Sequence, residues 1–194
     1  KEEGYLPEAV VNFLQLLGYA GDEEHEVSRF DDFVERFAWS KVNTVGPIFD
    51  LKKLDWLNGH YIRSLSADAL ADRIAAFAAE TGQWAEPTER QLDVLRQAVP
   101  IIQERLVLLK DALPQLDYLL GDATLDPAAV EKLADNAAEV LDAAIEVAGT
   151  VAFDAASIQA GLRERIVDGL GVKPKFAFAP IRVAISGRTV SPPL

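Results

Sequence analysis

Cysteine and methionine are absent from the 194 residues, and histidine occurs only at His25 and His60. Without cysteine there is no disulfide, no thiolate metal site and no sulfur nucleophile; two histidines cannot build the usual zinc constellations, which leaves carboxylates alone as metal ligands. No apolar run approaches the roughly 20 residues that span a bilayer, and no basic-then-apolar leader opens the chain. A reduced cytoplasmic compartment is expected, with no membrane partner. The patterns GxxxxGK[ST], GxGxxG, HExxH and GxSxG are all missing, and with them the usual phosphate cradle, dinucleotide turn, zinc pair and nucleophile elbow. Glu23, Glu24, His25 and Glu26 could be drawn as an acid/base or metal cluster, but they sit in a polar stretch with nothing apolar to shift a pKa. His60, after Asn58-Gly59, reads as a helix-end or partly buried side chain. No catalytic set emerges. Because Lys1 cannot be an untreated translational start, the chain is expected to be a piece of a longer protein.

What is present is an ordinary globular composition, 49% hydrophobic and 26% charged, in which roughly 70% of the unfolded surface can be buried. The periodicity is helical nearly throughout. Pro7 to Gly18 places Val10, Phe13, Leu14 and Leu17 at helical spacing, with proline in the first turn and glycine as a stop. Ser28 is expected to cap a helix sharing Phe30, Val34 and Phe37 on one face. Phe49, Leu51, Leu54, Trp56 and Leu57 predict a short, buried helix ending near Asn58-Gly59. Ser66 opens another, carrying Leu70, Ile74 and Phe77, and Thr88 with Gln91 has capping-box spacing. Pro100 predicts a junction of two helices, the second running through Ile101, Leu106 and Leu109 until Pro114. Asp126-Pro127 predicts a helix of about five turns through Val130, Leu133, Leu141 and Ile145, and Asp154 caps one with Ile158, Leu162 and Ile166 inward. The fold class is all-α. No fixed-period repeat occurs.

Charge is unevenly distributed. The net charge is −12, yet residues 171–194 hold Lys173, Lys175, Arg182 and Arg188 with no acid, a local +4 that leaves −16 for residues 1–170. Such a chain attracts phosphate poorly as a whole, so contact with nucleic acid must rest on one basic face and on specific groups. In GVKPKFAFAPIRVAISGRTVSPPL, Pro180 is expected to start a short helix with Ile181, Ala184 and Ile185 inward and Arg182 outward. Ser186-Gly187 then ends it, and Ser191-Pro192-Pro193-Leu194 forms a stiff extended strand. An arginine beside a rigid strand suits the recognition of splayed single-stranded bases. Four solvated surface cations remain the plain alternative.

Three segments carry a resemblance: GYLPEAVVNFLQLLGY at residues 4–19, PIFDLKKLDWLNGHYIR at 47–63, and the tail from Gly171. Together they resemble the C-terminal half of bacterial-type glutamyl-tRNA synthetases, in the family's order, with the acidic middle from Ala67 to Ala156 more variable. The resemblance implies a stem-contact helical domain at 1–65 followed by helical anticodon-binding domains at 66–121 and 122–194, unlike the β-barrels of the glutaminyl enzymes. It implies that Arg182, Ser191, Pro192 and Leu194 contact the last anticodon bases, and that Arg105, in QERLVLLK, reads the first. Neither the family's HIGH-like motif nor its KLSKR-like loop is present. This stretch is therefore expected to hold tRNA(Glu) without a catalytic residue, cofactor or metal of its own and without DNA binding, while the parent uses ATP with magnesium to form glutamyl-adenylate. A monomer is the default. A competing reading, an acidic helical protein-interaction scaffold, draws on the negative surface and on the apolar crowding from Asp50 to Leu57.

Overall fold

The computed structural model describes residues 2–19, 26–44, 46, 48–84, 86–121 and 123–192. Among them there is no strand, only an isolated antiparallel bridge between Tyr19 and Val42, and no helix is long and apolar enough to cross a membrane. The contacts gather residues 1–116 into one compact unit and 117–194 into a second. Pro193, Leu194 and the cluster positions Glu23, Glu24 and His25 lie outside the described residues.

In the first unit, α1 (Pro7–Gly18) begins on its proline and packs on α3 (Leu51–Ser64), while α2 (Phe30–Arg36) lies beside α1. Helix α4 (Ala67–Thr81) packs on α5 (Glu89–Ile102). Leu6, Leu57, Ile62, Leu70, Ile74, Leu95 and Ile102 are fully buried. Buried polar groups in this core find partners. The Leu6 N–H donates to Asn58 Oδ1 at 2.8 Å, and Asn58 Nδ2 donates to the Val107 carbonyl, so one side chain ties the entry segment and a distant loop to α3. Gly4, with φ of +84°, lets the entry segment approach residues 109 and 110 so closely that a Cβ would lie 2.8 Å from two backbone nitrogens.

Several local expectations hold, and others are overturned. Ser66 Oγ accepts from the Ala69 N–H, and Thr88 with Gln91 forms the full reciprocal capping box. Ser28 does not cap α2; Arg29 occupies that position without a side-chain bond, because the Ser28 N–H and hydroxyl are committed to Asn12 and the Arg29 carbonyl. Leu14 is exposed rather than inward, the buried stripe of α1 being Ala9, Asn12, Phe13 and Gln15. Helix α3 does not stop at Asn58-Gly59: Gly59 keeps a helical backbone and the helix runs to Ser64, placing His60 inside it. Pro100 does not divide a helix, because α5 ends two residues later and the proline removes only a bond of its last turn. Leu106 and Leu109 are buried by 3-10 turns at Gln103–Arg105 and Leu109–Asp111 instead. Pro114 lies inside the first turn of α6 (Ala112–Leu120), where its missing N–H is not needed.

In the second unit, Asp126 caps α7 (Pro127–Val130) through the Ala128 N–H, but the expected long helix breaks there and resumes as α8 (Ala137–Thr150), with Ile145 exposed. Asp154 caps α9 (Ala155–Leu162) through Ser157, and a π-helical stretch at Arg163–Gly169 follows. Helix α10 (Pro174–Ser186) starts on Pro174, not Pro180, and so takes in Phe176 to Phe178. Val140, Ala143, Ile166, Ala177 and Ile181 form the core. Starting one proline earlier changes which α10 positions are inward: Ala177, Pro180, Ile181 and Val183 are buried, while Ala184 and Ile185 are exposed.

Candidate nucleic-acid interface

The basic end of the chain is built around the last helix. Gly187, with φ of +74°, closes α10 in the left-handed conformation, and its N–H bonds the Val183 carbonyl at 2.8 Å. A Cβ there would lie 2.1 Å from the Thr124 carbonyl oxygen, so only glycine lets the segment before α7 pass this close. The Asp126 N–H donates to the Gly187 carbonyl at 2.9 Å and completes the junction. Ser186, buried, donates from its hydroxyl to the Arg182 carbonyl at 2.7 Å.

Half-buried Arg182 faces the segment that follows this turn. Its Nη1 donates to the Ser191 carbonyl at 3.1 Å, the Ser191 hydroxyl at 2.5 Å and the Pro192 carbonyl at 3.0 Å. Ser191 Oγ in turn donates to the Pro192 carbonyl at 2.9 Å. All these partners are neutral, so the guanidinium keeps its positive charge uncompensated by any of them, and a planar fork with five donors retains further ones for an incoming acceptor. Arg188 differs, since its Nη2 donates to the carboxylate of Asp117. Burial pushes the Tyr118 hydroxyl above its ordinary pKa, while the Arg182 and Arg188 cations and the Asp117 carboxylate act in opposite directions on it. This places a half-buried aromatic ring within electrostatic reach of Arg182. Lys173 and Lys175 stand at the N-terminus of α10, the positive end of its dipole, where cations are disfavoured unless an anion is near.

Three of the sequence-expected residues, Arg182, Ser191 and Pro192, are thus brought together; Leu194 lies outside the described residues. Arg105 belongs to the first unit, where it is exposed on the 3-10 turn after α5. That turn is anchored by Gln103, whose Nε2 donates to the Ile62 and Leu65 carbonyls at 3.0 and 2.8 Å and so caps the end of α3. Gln103, Asp117 and Tyr118 carried no sequence signal, because each acts through a partner many residues away.

A family model described as an anticodon binding domain matches residues 62–194. The glutamate–tRNA ligase of Cutibacterium acnes is 48% identical over 204 residues, an alignment covering all of this chain and 41% of that protein. That of Acidothermus cellulolyticus is 49% identical over 200 residues, covering all of this chain and 40% of that protein. The chain therefore spans about two fifths of the length of these curated relatives. Among solved structures, a glutamate–tRNA ligase from Elizabethkingia meningosepticum superposes with a TM-score of 0.80 at 22% identity, over 97% of this chain and 37% of that one. The glutamate–tRNA synthetase of Elizabethkingia anophelis gives 0.77 at 21% identity, over 97% and 36%. At that identity the likeness concerns the fold.

Proposed function

The chain belongs to the anticodon-binding-domain family, and from that membership we propose that it forms the anticodon-reading part of a glutamate–tRNA ligase with tRNA(Glu) as its partner. The observation that carries this reading is the Arg182 cluster, in which one guanidinium nitrogen holds the Ser191–Pro192 backbone while its other donors remain for a base or phosphate. Anticodon bases are splayed from their stack and read on their edges by fixed donors and flat apolar surfaces. Arg182 supplies the donors, Ser191 and Pro192 the backbone frame, Leu194 an apolar contact, and Arg105, on its Gln103-anchored turn, a second reader for the first anticodon base. The division into a stem-contact part at 1–65 and anticodon-binding parts at 66–121 and 122–194 goes with this reading.

On its own the chain binds tRNA and does not aminoacylate it. Glutamate activation by ATP with magnesium, and transfer to the terminal ribose, belong to the remainder of such a ligase, which acts in the cytoplasm as a monomer. The interaction-scaffold alternative is not favoured, since the match over residues 62–194 is to an anticodon-binding family. The test is a titration of the chain into fluorescently labelled tRNA(Glu) and an anticodon-substituted control. The intact anticodon is expected to bind more tightly, and Arg182→Ala to weaken that binding by about 1–3 kcal/mol. Equal affinity for both RNAs, or an unchanged affinity in the variant, refutes the assignment.

A further inference from the structure

The backbone that carries Arg105 has little freedom. Arg105 is the last residue of the 3-10 turn Gln103–Arg105, and it is exposed, whereas Leu106 after it is fully buried. The Gln103 carbonyl closes this turn by accepting from the Leu106 N–H at 3.3 Å. The half-buried Gln103 side chain donates through Nε2 to the Ile62 and Leu65 carbonyls at 3.0 and 2.8 Å. A carboxamide nitrogen has two hydrogens, and here each has its own acceptor. Arg105 thus stands between one residue bonded to the end of α3 and one packed into the core.

The rest of the segment is tied the same way. The Val107 carbonyl accepts from Asn58 Nδ2, the Leu109 N–H donates to the Gly4 carbonyl at 3.1 Å, and Lys110 pairs with Glu3. Each of these partners lies in α3 or the entry segment before α1. Of the ties, the Gln103 one is nearest to Arg105. It ends on the last carbonyls of α3, where Leu65 is the C-cap and a helix leaves acceptors without intrahelical donors. These carbonyls are the negative end of the helix dipole, which favours an N–H donor or a cation. Reading a base edge needs the reading group held to within about 0.5 Å, by neighbours that are themselves fixed through hydrogen bonds. A phosphate contact makes no such demand, since it positions and carries no sequence information. Loosening this turn should therefore cost discrimination before it costs affinity.

We propose that Gln103 is the positioning residue of the first-base reader. By committing both amide hydrogens to the end of α3 it fixes the turn from which Arg105 reaches the first anticodon base, an inference that rests on the reading of Arg105 given above. The experiment titrates the chain with labelled tRNA(Glu) and with two variants of that RNA, one altered at the first anticodon base and one at the last, and follows the melting temperature in parallel. Gln103→Leu, which keeps the bulk and removes the donors, is expected to shrink the first-base penalty about fivefold or more, with the last-base penalty within about twofold of the parent protein's. Gln103→Lys, whose ammonium can donate to the same two carbonyls, is expected to keep the first-base penalty. A residue that only caps α3 would lower the melting temperature and leave the two penalties in their original ratio. An unchanged ratio in Gln103→Leu therefore overturns the proposal, as does a Gln103→Lys variant no more discriminating than Gln103→Leu. Arg105→Ala separates this inference from the reading beneath it. A first-base penalty absent from the parent protein, or surviving Arg105→Ala, refutes Arg105 as reader and the inference with it. A penalty lost in Arg105→Ala but kept in Gln103→Leu refutes the positioning alone.

Discussion

Arg182 does two jobs with one side chain: it gathers the Ser191 and Pro192 acceptors, and because those partners are neutral it keeps its charge. A lysine could preserve the charge but not the fork, since its ammonium is a point donor on a flexible stem. Arg182→Lys is therefore expected to lower tRNA affinity about 5- to 50-fold and to narrow the preference for the intact anticodon, while changing stability by less than about 1 kcal/mol. Comparative RNA titration and urea unfolding separate the two effects; a preference as large as in the parent protein contradicts the reading role. A different residue sets a pH limit. Tyr5 donates to Asp55, and burial, then that hydrogen bond and the carboxylate's charge, push its hydroxyl up to about 12. The folded value is raised above the unfolded one, so the stabilisation is fully present below about pH 10 and is lost as pH rises towards 12. Spectrophotometric titration at alkaline pH should show late-ionising tyrosines, with Tyr61 and Tyr118 also raised by burial, and a urea midpoint that falls as pH approaches 12. Tyr5→Phe should remove one late-ionising tyrosine and lessen that alkaline fall.

At the scale of elements, caps were legible and continuity was not. Ser66, Thr88, Asp126 and Asp154 could be read as N-caps because each acts within three residues of itself. Ser28 had the same local chemistry, but Asn12 had already claimed its backbone N–H from sixteen residues away. The prolines show the same limit. In the sequence Pro100, Pro114 and Pro180 read as boundaries, whereas each lies within a helix at a place its neighbours tolerate, and the periodicity alone does not reveal where the neighbouring turn falls. The end of α10 was legible, and it is the joint on which the candidate site depends. Gly187→Ala there meets a left-handed backbone and a carbonyl oxygen 2.1 Å from the new Cβ. A cost of about 2–4 kcal/mol is expected in urea unfolding, together with loss of anticodon preference, because the Arg182–Ser191 geometry hangs from this turn. A variant as stable as the parent protein would mean that the Thr124 segment does not pass where the structure puts it.

Across the whole molecule the site must work against its own field. The +4 of residues 171–194 sits in a chain of −12, and the second unit carries eleven acids against three bases in residues 117–170 alone. The sequence showed this asymmetry and set Arg182 beside the Ser191–Leu194 strand, and the resemblance gave those residues their anticodon role. What neither could show is that Arg188 is neutralised by Asp117, seventy-one residues away. Of the four basic residues, Lys173, Lys175 and Arg182 therefore remain to meet phosphate or base, since Arg182's partners are all neutral. Each phosphate neutralised contributes about −0.7 to −0.9 to the slope of log K against log salt. The expected slope for the tail is then about −2 to −3, far shallower than for a protein with a broad basic face, and association should not be accelerated by steering at low salt. Lys173→Gln and Lys175→Gln should each make the slope shallower by about 0.7–0.9 without altering the preference for the intact anticodon, since a phosphate contact positions and does not specify. A measured slope steeper than about −5 would place the main phosphate contacts elsewhere on the chain, and a change of anticodon preference in either lysine variant would make that lysine a reader rather than an anchor.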